Sequence, residues 1–413
     1  ITMRKTSANI GFIGISGRGS GMLGLLLQVE GVKVPAVCDL IPERAERGIE
    51  IVEEANNKEY PVHAYLDYKE MLEKEDLDAV VIATTWITHA RIAVDAMKAG
   101  CHVATEVGGA ASVEECWQMV RTSEETGKIC MLLENCCYCR NEMAVFNMIR
   151  QGLFGEIVHM EGGYRHDLRD EIALGRENIH GRLFNFMNRN GELYPTHQLG
   201  PISKALRINR GNRFLTVNSV ASKARGLHQW IKDNKGEEYD LYNTDFKCGD
   251  IVTTIIKCAG GETITLVLDT TLPRGFYSRG FPVRGTRGMV SEDTRTVMVE
   301  PELKELEVPG GIKDNLKDFY EKYDSPIWEE YYKSDIKAGH GGMDWQVLRA
   351  FVESFKGGYA PPVDVYDAAA WMSISALTEK SIANGGAPVE IPDFTSGKWV
   401  LNTAQQVEWK YSL

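Results

Sequence analysis

The chain has 413 residues, 43% of them hydrophobic and 25% charged, with a formal net charge of −12. That length is too great for one compact core and suits two domains of an ordinary globular protein. The acidic balance argues against a general nucleic-acid or anionic-membrane binder, and no stretch reaches the ~18 uninterrupted apolar residues a membrane helix needs.

Asn9–Ile15 has the apolar pattern of a strand, and Gly21–Val29 reads as the start of an apolar helix. Val32–Cys38 is a second strand ending at Asp39, and Pro42–Ala55 is a charged amphipathic helix. Tyr68–Lys74 is a short helix before Ala79–Ala83, a continuous apolar run of the kind buried in parallel sheets. Ala90–Ala99 is a helix ended by Gly100, and His102–Thr105 is the next strand. Ser112 caps a helix through Glu125, with Glu115 completing a capping box; Gly127 ends it, and Ile129–Glu134 returns to strand. This alternation predicts an α/β fold that opens with a doubly wound parallel sheet, a dinucleotide-binding Rossmann domain over residues 1–135.

Past Asn135 strand-like stretches follow one another: Ile157–Tyr164, Phe214–Ser222, Asp250–Cys258, Thr263–Asp269, Arg287–Ser291 and Arg295–Val299. They predict an α+β substrate-binding domain over residues 136–413 with an open, mostly antiparallel sheet. Gly342–Phe355 and the Ala-rich Val365–Asn384 read as helices, free to pack back on the first domain. Nine cysteines cannot all pair within the chain, and Cys136, Cys137 and Cys139 lack the second pair that a structural zinc site needs. No metal is expected, and the thiols are expected to be buried and free. Because the chain begins at Ile1, its natural N-terminus is expected upstream. An export signal there would be invisible, so the compartment, cytoplasm or periplasm, stays open.

The first strand runs into Gly14-Ile15-Ser16-Gly17-Arg18-Gly19-Ser20-Gly21. Against G-x-G-x-x-G, Gly14 and Gly19 are in place and Ser16 stands at the middle glycine. A strand before, a helix after, and Asp39 about 20 residues on raise this loop above a chance match. Gly14 permits the tight turn, the amides of Ser16, Gly17, Arg18 and Gly19 approach a pyrophosphate, and the helix N-terminus offers partial positive charge. Asp39 can accept hydrogen bonds from ribose hydroxyls and would repel a 2′-phosphate. The expected cofactor is NAD rather than NADP.

Ala83-Thr84-Thr85-Trp86-Ile87-Thr88-His89 and His102-Val103-Ala104-Thr105-Glu106 resemble the glucose–fructose oxidoreductase and inositol dehydrogenase family. The resemblance implies that the first segment closes over the nicotinamide ribose. In that family the strand ends in Glu-Lys-Pro, whose Lys serves catalysis; here it reads Glu106-Val107-Gly108. The missing Lys argues against the family's ordinary alcohol dehydrogenase.

Leu133-Glu134-Asn135-Cys136-Cys137-Tyr138, Glu161-Gly162-Gly163-Tyr164, Tyr194-Pro195-Thr196-His197 and His340-Gly341-Gly342-Met343-Asp344 resemble a narrower group, the NAD-dependent glycosidases of glycoside hydrolase family 109. The founding activity of that group is α-N-acetylgalactosaminidase. The resemblance spans nearly the whole chain. Two departures are Gly108, where the group usually has Pro, and Gln198, where it usually has Gly.

The resemblance implies that Trp86, His89, Glu106, Val107 and Asn135 contact NAD and that Tyr164, Arg182 and Tyr277 line a sugar pocket. It puts Tyr194 and His197 in that pocket as the proton-transferring pair. The implied chemistry oxidises the sugar at C3, removes the C2 proton, eliminates the aglycone, adds water and returns the hydride, so NAD is recycled. The expected partner is a small-molecule glycoside or glycan, and a homo-oligomer through the open sheet is implied by the wider family. The alternative is an NAD-dependent sugar or cyclitol dehydrogenase of the same fold; a non-enzymatic NAD-sensing or sugar-binding protein is a third reading.

Overall fold

The computed structural model describes residues 6–108, 110–301, 314–402 and 408–413. The chain forms two compact units, one of Ile1–Cys139, Pro326–Ala369 and Gln405–Leu413, the other of Arg140–Ser325 and Ala370–Ala404. The first unit opens with β1 (Ala8–Ile13), α1 (Gly17–Leu26), β2 (Val32–Cys38), α2 (Pro42–Asn56), β3 (His63–Tyr65) and α3 (Tyr68–Lys74). It continues with β4 (Ala79–Ile82), α4 (Trp86–Lys98), β5 (His102–Thr105), α5 (Val113–Thr126) and β6 (Cys130–Leu132). All pairings are parallel, in the order β3-β2-β1-β4-β5-β6. The order reverses beside β1, so the crevice at the carboxyl ends of β1 and β4 is the place such a sheet offers a ligand.

β4 is buried at every residue, as its unbroken apolar run predicts. The Ser112–Glu115 capping box is present, and Gly127 ends α5 in the left-handed conformation. Two helices start earlier than their apolar patterns suggest. α1 begins at Gly17 because the Ser16 side chain caps it through the Gly19 amide, and α4 begins at Trp86 directly after Thr85. The periodicity missed β3, an edge strand whose His63 and Ala64 are exposed, so no apolar pattern marks it.

The second unit holds α6 (Arg140–Arg150), β7 (Ile157–Arg165), α7 (Arg169–Ala173), α8 (Arg182–Asn188), α9 (Thr196–Ala205), β8 (Phe214–Ala221) and α10 (Gly226–Asn234). Then come β9 (Ile251–Cys258), β10 (Thr263–Asp269), β11 (Val283–Gly285), β12 (Gly288–Ser291), β13 (Thr296–Val299) and α11 (Tyr320–Tyr323). The chain next supplies α12 (Pro326–Lys333) and α13 (Met343–Gly357) to the first unit. α14 (Val365–Ala383) follows, and β14 (Val389–Glu390) belongs to the second unit.

The eight-stranded sheet runs β13-β12-β11-β7-β10-β9-β8-β14, antiparallel except between β7 and β10. β9 and β10 alternate buried with less buried residues, so Val252, Ile256, Ile264, Leu266 and Leu268 form one packed face. Each such side chain contributes about 1.5–3 kcal/mol on leaving water. The opposite face leaves Ile255 and Val220 about half exposed. None of the nine cysteines is in a disulfide, and all but Cys139 are fully buried.

Candidate active site

In the first unit, six segments meet at the carboxyl edge of the parallel sheet. Gly14 takes φ +100°, and a Cβ there would lie 2.5 Å from the Ala83 carbonyl oxygen. A Cβ at Gly19 would come within 1.9 Å of the Gly14 oxygen, so the helix start can sit on the loop only without side chains. By contrast, nothing lies within 4 Å of a Cβ built at Gly17 or Gly21. The loop is thus tight against the sheet and open beyond it, as a cradle for a pyrophosphate requires.

Asp39 braces this loop: its Oδ2 accepts from the Ile15 amide at 2.7 Å and its Oδ1 from the Ile41 amide at 3.0 Å. Each carboxylate oxygen keeps a further lone pair for a ribose hydroxyl. Trp86 lies over Gly108, where a Cβ would be only 2.6–2.7 Å from the indole ring, and Gly108 adopts φ +83°. Proline is confined to negative φ, so this turn excludes the residue that the resemblance leads one to expect. His89 is buried, its Nε2 sits 2.8 Å from the Thr84 carbonyl, and burial lowers its pKa to about 4. The neutral ring donates to that carbonyl and pins the turn into α4.

Arg18 extends from the loop to two acids. It meets Glu106 Oε1 at 2.8 Å and grips Asp344 at 2.6 and 2.9 Å, while His340 Nδ1 lies 2.9 Å from the same Asp344. Asn135 Nδ2 donates to Asp344 Oδ1 at 2.7 Å. Burial opposes the Asp344 charge, but hydrogen bonds from His340 and Arg18 and the charge of Arg18 outweigh it and hold its pKa well below the ordinary carboxylate range. Arg18, Glu106 and Asn135, expected to touch the cofactor, are therefore organised by Asp344 at the start of α13. Sequence reasoning missed that residue, although the His340–Asp344 motif carried the signal. Val107, at the position of the family lysine, is buried and apolar.

In the second unit, all the residues expected at the sugar come together. Gly162 in β7 makes this possible: a Cβ there would meet Gln198 Cβ at 2.8 Å, so its absence lets α9 lie directly on the strand. Tyr194 and His197, at the entry to α9, then face Tyr164, two residues beyond Gly162. The Tyr194 hydroxyl is 3.3 Å from His197 Nε2, and the Tyr194 and Tyr164 rings are 4.5 Å apart. The Arg182 guanidinium stands 4.5 Å from the Tyr194 ring and 5.7 Å from that of Tyr164. Burial works against its charge, but both tyrosines and Glu171, 2.7 Å from its Nε, outweigh burial and raise its pKa. Tyr277 joins the group edge-on to Tyr164 at 5.9 Å.

The Tyr277 segment is firmly held. Buried Arg279 pairs with Glu142 at 2.6 Å, and Ser278 donates to Asp293 at 2.5 Å. The segment entering Tyr194 is anchored as well: the Glu192 amide donates to Thr378 Oγ1 at 2.9 Å, and Ser375 Oγ donates to the Glu192 carbonyl at 2.8 Å. Gln198 packs against Gly162; it is buried and donates to the Tyr194 carbonyl at 3.3 Å. His166, between Tyr164 and Tyr277, is a further neighbour that no motif singled out.

The cluster can do proton transfers near a bound polyol, since its tyrosines and imidazoles sit in mutual contact beside a fixed cation. The first unit's loop fits a dinucleotide by the close backbone approaches and open helix N-terminus described above.

Comparison with known proteins agrees with both halves. Residues 8–133 match the family described as "Oxidoreductase family, NAD-binding Rossmann fold", and residues 138–401 match "Glycosyl hydrolase 109, C-terminal domain". A protein named alpha-N-acetylgalactosaminidase from Tannerella forsythia is 40% identical, covering 94% of this chain and 86% of that protein. Another of that name from Shewanella oneidensis is 38% identical, covering 97% and 87%. Among solved structures, levoglucosan dehydrogenase in complex with NADH shares the fold, with a TM-score of 0.71 at 19% identity over 94% of this chain and 100% of that one. The chain belongs to glycosyl hydrolase family 109, as a glycosidase whose N-terminal Rossmann fold binds NAD.

Proposed function

We propose that this enzyme cleaves N-acetylgalactosaminides, with α-linkage preferred, by transient oxidation of the sugar. The observation that carries the reading is the second unit's cluster, in which Tyr194 and His197 stand within hydrogen-bonding reach beside Tyr164 and under Arg182. Two relatives named alpha-N-acetylgalactosaminidase support the substrate class.

When bound, NAD supplies a reversible hydride acceptor at C3 of the sugar, held by the Gly14–Gly19 loop, Asp39, Trp86, His89, Glu106, Val107 and Asn135. Asp39 favours the form without a 2′-phosphate. A C3 ketone acidifies the neighbouring C2 hydrogen by delocalising the resulting carbanion. Tyr194 and His197 receive the protons of the C3 hydroxyl and of C2, and Arg182 stabilises negative charge as it develops. Tyr164, Arg182 and Tyr277 hold the ring through its hydroxyls and apolar face. Val107 has no proton to exchange, so the lysine-dependent route of the ordinary dehydrogenases is missing here.

The test is hydrolysis of chromogenic α- and β-N-acetylgalactosaminides and galactosides in deuterated water. The expected product carries deuterium at C2. Retention of the original C2 hydrogen, or NADH accumulating from free sugar with no glycoside cleaved, would overturn the reading. In the same assay His197→Ala is expected to lower turnover by at least about 10³-fold while the protein retains its nucleotide.

A further inference from the structure

We propose that His166 is a second catalytic histidine, which delivers the proton to the departing aglycone oxygen while Tyr194 and His197 serve the C3 and C2 positions. The inference rests on the elimination reading above. It comes from an arrangement in the second unit that the reading leaves unused.

The site contains two Tyr–His couples. One is Tyr194 with His197; the other is Tyr164 with His166, whose Nδ1 lies 3.5 Å from the Tyr164 hydroxyl. The two tyrosine rings touch at 4.5 Å, and the Arg182 guanidinium faces both. His166 also stands edge-on to Tyr277 at 5.3 Å. Its backbone is fixed, since its amide donates to the Asp269 carbonyl at 2.9 Å. In the tautomer whose Nδ1 accepts from the Tyr164 hydroxyl, the ring proton lies on Nε2.

The cluster has a closed end and an open end. Tyr164 and Tyr194 are each 6% exposed, whereas Tyr277 is 47% and its neighbour Phe276 65% exposed. A glycoside with a bulky aglycone must place that aglycone at the open end. His166 lies between Tyr164 and Tyr277, on the way to that end. The groups facing it are Tyr164 on β7, Tyr277, Arg182 on α8, Asp170 and Glu171 on α7, and the adjacent Asp167. Burial, reinforced by Arg182, lowers its pKa despite the three acids.

A neutral imidazole can relay a proton without changing its own charge. As the C2 carbanion pair forms the C1–C2 double bond, the C1–O bond breaks and its electron pair goes to the aglycone oxygen. That oxygen takes the proton from His166 Nε2, and Nδ1 takes one from the Tyr164 hydroxyl. The Tyr164 oxygen anion is stabilised by Arg182. When water adds at C1, its released proton returns along the same path and the base returns a proton to C2. Tyr164 and His166 end as they began.

The test uses His166→Gln and His166→Asn in the full chain, each checked for bound nucleotide and an unchanged melting temperature. The substrates are 4-nitrophenyl and methyl α-N-acetylgalactosaminide, in deuterated water. The 4-nitrophenolate departs without protonation, so its cleavage is expected to fall less than about 10-fold. Methyl glycoside cleavage, which needs the acid, is expected to fall at least about 100-fold. Recovered methyl glycoside is expected to carry deuterium at C2, because proton removal continues while departure stalls. Equal losses on both substrates in whichever variant folds, or unreacted glycoside without C2 deuterium, would overturn the role of His166. Failure of the underlying reading shows separately, as wild-type product lacking C2 deuterium.

Discussion

Glu192 shows how a single buried group ties the segment entering Tyr194 to pH. It is fully buried two residues before Tyr194, and among the described residues its Oε1 accepts a single long bond, 3.4 Å from the Tyr194 amide. Burial raises its pKa to about 8. The unfolded chain ionises this residue near the ordinary value of about 4.3. Between those two pH values the folded protein binds one proton more than the unfolded chain. Through Glu192, stability therefore falls as pH rises across that window, and the loss is complete above about pH 8. Glu192→Gln, a neutral near-isostere, is expected to match the wild type at pH 4 and to exceed it at pH 8.5 by a few kcal/mol, on the order set by burying a carboxylate. Denaturant melts at the two pH values check this. An identical pH dependence in both proteins would show that Glu192 ionises freely when folded.

At the scale of elements, glycines decide which surfaces can meet. Gly162 admits α9 onto β7, so the Tyr194–His197 couple is aimed at Tyr164 by the absence of one methyl group. Gly162→Ala would press 2.8 Å onto Gln198 Cβ and push the helix off the strand. Overpacking of this kind costs about 1–3 kcal/mol, and the aim of the couple suffers more than stability does. A fall of at least about tenfold in kcat is expected, with nucleotide still bound. Adding Gln198→Gly, which removes the obstructing Cβ, is expected to recover activity in part; kinetics of the single and double variants measure it. No recovery would show that the pair does not couple.

For the whole molecule, the decisive feature is that the first unit is completed by distant sequence. Asp344 joins Arg18, Glu106, Asn135 and His340, and the Tyr138 hydroxyl donates to the Tyr411 carbonyl at 2.8 Å. Phe355 on α13 stacks on His102 at 5.4 Å. A fragment ending at Cys139 keeps all six parallel strands but loses these partners, leaving Arg18 and Glu106 without Asp344. It is expected to bind NAD at least about 100-fold more weakly than the full chain and to melt without a sharp transition, because uncompensated buried groups cost several kcal/mol. Calorimetry with NAD titration checks this; a cooperative melt with full affinity would show that residues 1–139 suffice.

What the sequence determined on its own is local and periodic. The apolar run of β4, the capping box at Ser112 and the alternation in β9 and β10 each follow from neighbours a few residues apart. The Gly14–Gly19 loop and Asp39 were legible for the same reason, since their spacing is set within one βαβ unit. The residues proposed for the sugar side came from resemblance alone, because no period links Tyr164 to Tyr277. Tertiary structure decided the rest. It placed Asp344 at Arg18, 326 positions away in sequence, set His166 between two tyrosines, and made Gly108 necessary under Trp86. These relations depend on contact between segments far apart along the chain, and a pattern read along one chain carries no term for such distances.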